Sequence, residues 1–232
     1  MKLIDIPALI IHNENIVRAK NIYEQIQKNV FTNIKIFDAI TPDTIKNYPE
    51  YYKKYKNQYY DFDAKTHDQL YEIRNLCLMI SHLEIVKLAK EKNYESILIF
   101  ENDFNIKNSD YIKSIEIDFN YDIIHIGGYY MDEWLTPHTT NTKKITACNG
   151  SFGYIVNNKF YEKYIEITES KFCNLSGYAA VDGFLARTIY PFYDCFAFMP
   201  TLINTIPSFS TLTENSYTDH YKYFSFLCNK NI

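Results

Sequence analysis

The sequence predicts a single α/β domain, a sheet with helices packed on it. Three observations carry this. Short apolar runs suited to buried strands alternate with segments whose apolar residues recur every three or four positions; the alternation runs from end to end; and no linker, internal repeat or low-complexity tract interrupts it. A length of 232 residues with 47% hydrophobic side chains supplies one substantial core and excludes an intrinsically disordered chain.

Taken in order, residues 3–12 (LIDIPALIIH) form a near-continuous apolar run, the pattern of a strand buried on both faces of a parallel sheet. From Asn15 onward Ile16, Ala19, Tyr23, Ile26 and Val30 keep helical spacing and predict an amphipathic helix lying on that sheet. NIKIFDAI then reads as a second strand, completing a βαβ unit whose right-handed crossover leaves the strand C-termini on one edge, where ligands are usually taken. Residues 41–69, rich in Tyr, Lys and Asp and holding Pro42 and Pro49, predict an excursion of short helices and loop, of a kind that often covers a site. Leu70, Ile73, Cys77, Ile80 and Leu83 open a long helix that runs to about residue 92. ESILIFENDFN is a short apolar strand followed at once by acids. YDIIHIGG is a strand closing on paired glycines, and GSFGYIVNN another; NKFYEKYIEITES and AAVDGFLARTI are helices, and YDCFAFMPTLI a late strand.

Composition narrows the function classes. With 24 Lys+Arg against 28 Asp+Glu and a net charge of −4, no global basic field exists to hold nucleic acid or an anionic membrane, so an anionic ligand must meet a local site. The 22 Tyr and 16 Phe accompany an excess of Ile, Asn and Lys, which points to AT-rich codon usage rather than function. Arg is scarce, at 18, 74 and 187 only, and Lys cannot supply its bidentate fork. The cysteines at 77, 148, 173, 195 and 228 lack any CxxC pair, so reduced, mostly buried thiols are expected. No signal peptide and no run of 18 apolar residues is visible, which reads as a cytoplasmic protein without a spanning helix; the oligomeric state is not encoded in any visible pattern.

The best candidate for chemistry is Glu101-Asn102-Asp103 at the end of the run ILIF. In extended backbone, side chains two apart face the same way, so Glu101 and Asp103 can present carboxylates together. Mg²⁺ or Mn²⁺ asks for one or two carboxylates plus phosphate oxygens and waters. Taken alone, the tripeptide is as compatible with a solvated strand end or a helix cap.

The stretch from Ile73 to Val86 (IRNLCLMISHLEIV), followed by NYESILIFENDF, resembles the core of glycosyltransferase family 25, which contains bacterial lipopolysaccharide and collagen galactosyltransferases. A Cys-containing helix with Ser81-His82 leads, about a dozen residues on, to an apolar strand with an acidic end. IPALIIHNENIVRAK, FDAI, YDIIHIGG, GSFGYIVNNKFYEKYIE and AAVDGFLA match further family segments in order, and PSFSTLTENSYTDH loosely matches the closing one. The resemblance implies a GT-A-like, Rossmann-type mixed sheet flanked by helices, a UDP-sugar donor, and Mn²⁺ or Mg²⁺ bridging its diphosphate. It also implies a hexose, galactose or a relative, moved to a glycan or protein-linked acceptor. Asp103, Glu101 and His220 are the implied metal ligands. Ile11, His12, Arg18, Asp38, His82, Glu101 and Asn102 are the implied donor contacts. Asp182 is the candidate base of an inverting transfer, and equally an N-cap candidate at its helix start. Arg18 reads alternatively as a surface ion pair, His82 as a core histidine and His220 as a solvated tail residue. Tyr129, Tyr130 and Trp134 form an aromatic cluster suited to an acceptor sugar.

The sequence departs from the family in places. Asn102 replaces the first Asp of the usual acidic triplet, Asn75 stands near a position often Glu, and His12-Asn13-Glu14-Asn15 replaces a common Asn-Leu-Asp opening. The competing reading is therefore a catalytically inactive GT-A domain serving as a glycan-binding or assembly subunit. A nucleotidyltransferase ranks last, because HNENIVRAK holds no Gly-rich phosphate loop.

Overall fold

In the computed structural model, residues 1–13, 15–56, 67–171 and 180–205 are described. The first apolar run is not one strand. Leu3–Asp5 form a 3-10 turn, and β1 is confined to Ala8–His12. Pro7 lies between them, where its missing N–H costs no ladder bond and its carbonyl accepts from the Leu98 N–H (2.9 Å). β2 (Ile34–Asp38) and β3 (Ser96–Glu101) flank β1 in parallel, with His12 opposite Asp38 and Ile11 opposite Glu101.

α1 (Ile16–Gln27) starts at Asn15, whose Oδ1 accepts from the Arg18 N–H (3.1 Å). Its buried face is not the expected one. Ile16 and Tyr23 are 85% and 66% exposed, whereas Arg18, Asn21, Ile22 and Gln25 are buried. The reason is the partner. α1 lies against the Glu101–Asp103 turn and β4 (Phe104–Ile106), where backbone groups facing the helix need side-chain partners. Asn21 Nδ2 donates to the Phe104 carbonyl (3.0 Å), and Gln25 Oε1 accepts from the buried Ile106 N–H (3.0 Å). Gln25→Ala is expected to cost about 1–3 kcal/mol in urea unfolding, since that N–H loses its acceptor.

The excursion contains a 3-10 turn at Ile45–Asn47 and α2 (Pro49–Lys56). α2 is clamped to α3 (His67–Glu91): the Tyr51 hydroxyl donates to Glu84, and Lys87 Nζ donates to Tyr51 Oη (2.8 Å) and pairs with Glu169 (2.6 Å). α3 is buried on nearly every side from Ile73 to Ala89, which explains its weak amphipathic pattern.

After β4 come α4 (Ser109–Ser114), β5 (Ile123–Tyr129), and a hairpin of β6 (Leu135–Pro137) and β7 (Thr142–Ile145) that the sequence did not announce. β8 (Asn149–Asn157), α5 (Asn158–Lys171) and α6 (Val181–Thr188) follow as expected. The late strand is two: β9 (Cys195–Phe198) joins the main sheet and β10 (Ile203–Thr205) pairs with β4.

The eight-stranded sheet has the order β2-β1-β3-β8-β5-β9-β7-β6. It is mixed: β8 runs antiparallel to β3 and β5, and β9 is parallel to β5. One core lies between the sheet and α3, α5 and α6; the other lies beneath it, under α4, β4 and β10. The glycines of YDIIHIGG and GSFGY have a packing cause. A Cβ at Gly127 or Gly153 would stand 2.3 or 2.5 Å from the Ile203 side chain, so the two glycines let β10 approach the sheet closely. Cys77, Cys148 and Cys195 are buried free thiols; Cys173 and Cys228 lie outside the described residues. No helix among the described residues is long and apolar enough to cross a membrane.

Candidate active site

β1, β2, β3 and β5 end on one edge of the sheet, and the antiparallel β8 begins there. That edge therefore gathers His12, Asp38, Glu101-Asn102-Asp103 and Gly150-Ser151 from distant parts of the chain. The first turn of α6 joins them through Asp182.

β3 stops at Glu101, so strand alternation does not extend to Asp103 as the sequence suggested. Glu101 follows Ile97 and Ile99 onto the α3 face, whereas Asp103 sits in the turn and meets α1. Arg18, in the first turn of α1, makes a buried ion pair instead of a surface one: Nη1 lies 2.8 Å from Asp103 Oδ2 and donates to Asn102 Oδ1 (3.0 Å), with the two charged side chains 4% and 11% exposed. Asn102 also donates from Nδ2 to Asn13 Oδ1 (3.1 Å). That amide both accepts and donates, which an aspartate cannot do, so the departure at 102 ties the segment after β1 to the acidic turn.

On the other side, Glu101 Oε1 accepts from Ser151 Oγ (2.9 Å) and lies 3.8 Å from His82 Nε2. The Glu101 carboxyl is pushed up to about 8, first by burial and next by the charge of Asp103; Asp182 adds to the rise, while Ser151 and Arg18 oppose it. His82 is pushed down to about 3 by burial and is neutral. The Glu101 value in the folded chain exceeds its unfolded one, so the folded state holds the extra proton and stability falls as pH rises through this range. The Glu101 contribution is lost from about pH 4.5 to about pH 8, and because the lowered values of buried His82 and His125 add stability as pH rises to their ordinary 6.5, a net decline is expected above about pH 6.5, flattened by Glu101→Gln in urea titrations.

Asp182 is not the N-cap of α6. The cap is Ala180, which offers no side-chain acceptor, and Asp182 stands inside the first turn. Its Oδ1 accepts from the Gly183 N–H and its Oδ2 from the Gly150 N–H, each at 2.7 Å. Gly150 holds a φ of +78°, a left-handed conformation that suits glycine, and this aims its N–H at the carboxylate. Asp182 is thus fixed next to Ser151 and hence next to Glu101.

Other expected contacts separate. The Ile11 side chain is packed in the core with Leu9 and Ile99, leaving its backbone at the edge. His12 is half-buried, with its pKa lowered by burial against the opposing pull of Asp38, which is exposed on the outermost strand. Tyr130 is a core residue, 7% exposed, so the aromatic cluster divides; Tyr129 and Trp134 remain half-buried, Tyr129 with its ring edge on Phe152 (5.1 Å). His220 lies outside the described residues. Sequence reasoning missed Ser151, Asn13, Asn21 and Tyr154; of these only Ser151 carried a signal, standing after a glycine at the opening of a strand.

Three buried polar atoms at this edge have no hydrogen-bond partner within the described residues: His12 Nδ1, His82 Nε2 and Asp103 Oδ1. Buried polar groups are nearly always paired, so their gathering at one edge makes it the candidate place for a polar ligand. No group of three or more His, Cys, Asp or Glu among the described residues could hold a metal ion. A divalent cation would therefore rest on Asp103 Oδ1 and Glu101, with ligand oxygens and water completing its shell. Hard oxygen donors fit Mg²⁺ or Mn²⁺, which are commonly bound through one or two carboxylates and substrate phosphates.

Comparison with known proteins agrees with this architecture. A glycosyltransferase reported to be involved in glycosylating the major capsid of PBCV-1 shares the fold, with a TM-score of 0.50, 11% identity, and coverage of 96% of this chain and 99% of that one. The protein A197 from STIV is also similar, with a TM-score of 0.41 and 16% identity over 83% of this chain and 81% of that one. No curated protein matches the sequence. The profile of glycosyltransferase family 25 (LPS biosynthesis protein) matches residues 7–185, covering both the acidic turn and Asp182. On that match the chain belongs to glycosyltransferase family 25 and is a glycosyltransferase.

Proposed function

We propose that this single-domain chain moves a hexose, galactose or a relative, from a UDP-sugar to a hydroxyl of a glycan or protein-linked acceptor, with a divalent cation and with inversion. The observation that carries the reading is the gathering of unpartnered buried polar atoms, Asp103 Oδ1 foremost, beside Glu101 on the edge where α/β sheets take ligands. Membership of the family supports a sugar donor and a glycan acceptor.

When bound, the cation supplies Lewis-acid stabilisation of the charge that develops on the departing diphosphate. Asp103 and Glu101 would hold it, and Arg18 engages Asp103 Oδ2, leaving Oδ1 to the ligand. Asp182, oriented by two backbone N–H groups, accepts the proton of the acceptor hydroxyl. His12 and Asp38 offer polar groups to the nucleoside from neighbouring strand ends, and Tyr129 and Trp134 offer ring faces to the acceptor. No observation favours an inactive subunit, since Asn102 is engaged in a bridge that leaves both flanking carboxylates in place.

The test is transfer and hydrolysis across UDP-sugars with Mn²⁺ or Mg²⁺, with product configuration read by NMR. Turnover with inversion supports the reading. No turnover, together with no thermal stabilisation by UDP with either metal, contradicts it.

A further inference from the structure

Two histidines are completely buried behind the site, and they differ. His125, on β5, has both ring nitrogens engaged: Nε2 lies 2.7 Å from Tyr190 Oη and Nδ1 lies 3.9 Å from Cys148 Sγ. It is what a satisfied core histidine looks like. His82, on α3, is engaged at one nitrogen only. Its Nδ1 lies 2.8 Å from Tyr154 Oη, which lies 3.0 Å from Tyr164 Oη, and the other nitrogen, Nε2, has no hydrogen-bond partner among the described residues. That nitrogen lies 3.8 Å from Glu101 Oε1. Tyr154 and Tyr164 are fully buried, and the Tyr154 ring is near-parallel to both imidazoles, at 13° and 21°.

The hydrogen-bond inventory gives this chain a direction. A neutral imidazole carries one N–H and one acceptor nitrogen. If Nε2 is to face a carboxylate oxygen it must carry the hydrogen, so Nδ1 accepts from the Tyr154 hydroxyl, whose oxygen then accepts from Tyr164. With Glu101 ionised, as a cation ligand must be, the opposite direction would set Nε2 and Oε1 lone pair to lone pair.

We propose that Tyr154, backed by Tyr164, sets His82 in the Nε2–H form and thereby aims an N–H at Glu101, making both tyrosines positioning residues for the transfer site. The proposal rests on the reading of Glu101 as a donor-site residue given above. A buried hydroxyl behind a histidine fixes its tautomer and orientation, as outer-shell partners do at other polar sites. The remaining gap closes by a shift of less than about 1 Å when the donor settles against Glu101, to reach an ordinary hydrogen-bond distance.

The test is long-range proton–nitrogen NMR on the full chain labelled in histidine, with assignment by His82→Asn and His125→Asn. The wild-type protein is expected to show His82 as Nε2–H and His125 as Nδ1–H. In Tyr154→Phe the His82 signal is expected to move toward a tautomer mixture while His125 stays unchanged, and the UDP-sugar KM to rise about five- to tenfold with kcat changed less than about threefold. Tyr164→Phe, which keeps the Tyr154 hydroxyl, is expected to show a smaller change of the same kind, and serves if Tyr154→Phe does not fold. Wild-type His82 found as Nδ1–H, or a tyrosine variant that leaves both tautomer and KM unchanged, overturns the proposal. So does a tautomer shift without any KM change. Expected tautomers in a wild-type protein that turns over no nucleotide sugar overturn the functional reading instead, and the positioning role falls with it.

Discussion

Asp103→Ala is expected to slow transfer by about 10²–10³-fold and to weaken the fold at the same time, because one side chain serves both. Its Oδ1 is a buried acceptor with no hydrogen-bond partner among the described residues and its Oδ2 holds Arg18 at 2.8 Å. Removing one partner of a buried ion pair typically costs about 3–5 kcal/mol, and the retained Arg18–Asn102 bond places this case near the lower end. Loss of a group that stabilises transition-state charge lowers kcat by about 10²–10³-fold. Urea unfolding and initial rates with saturating donor measure the two effects. They are separated by the double variant Arg18→Met/Asp103→Leu, in which an apolar pair replaces the ionic one. It is expected to recover most of the stability and none of the activity. Transfer retained in a folded Asp103 variant would contradict its role at the donor.

The second large effect is expected at Asp182. Asp182→Asn keeps the size of the side chain but turns an N–H₂ toward one of the two backbone donors, from Gly150 or Gly183, at a stability cost of about 1–2 kcal/mol. As the acceptor base it should lower kcat by about 10²–10⁴-fold while leaving the KM for the UDP-sugar within about threefold. A stability loss of that size with kcat unchanged would make Asp182 an anchor between α6 and β8 and nothing more. Rates in Asp182→Asn and Asp182→Glu, with melting temperatures beside them, decide between the two.

How much could be read in the chain differs from element to element. β1, β3, β5 and β8 were visible because strands buried on both faces leave continuous apolar runs. α3 was visible through its length and apolar spacing, although it is buried on most sides. α1 misled, since its apolar spacing selected Ile16 and Tyr23 while the structure buries Arg18, Asn21 and Gln25. Hydrophobic period reports packing against an apolar surface, and this helix packs against a backbone turn that needs hydrogen bonds. The β6–β7 hairpin went unseen because three- and four-residue strands rich in Thr and Lys carry almost no periodic signal.

At the site, residue types and order were legible, and the partnerships were not. The acidic turn, the scarce Arg18, the helix with His82 and the Val181-Asp182-Gly183 start could each be picked out along the chain. That Arg18 would reach across 85 residues to hold Asp103, that Ser151 would engage Glu101, and that Tyr154 would stand behind His82 could not. The local code of apolar runs, caps and short motifs specified the α/β class and the family. Which nitrogen meets which oxygen followed from the strand order β1-β3-β8-β5, which makes residues far apart in the chain neighbours at one sheet edge. Hydrogen bonds and ion pairs act over about 3–4 Å, so they depend on coordinates that no local pattern carries.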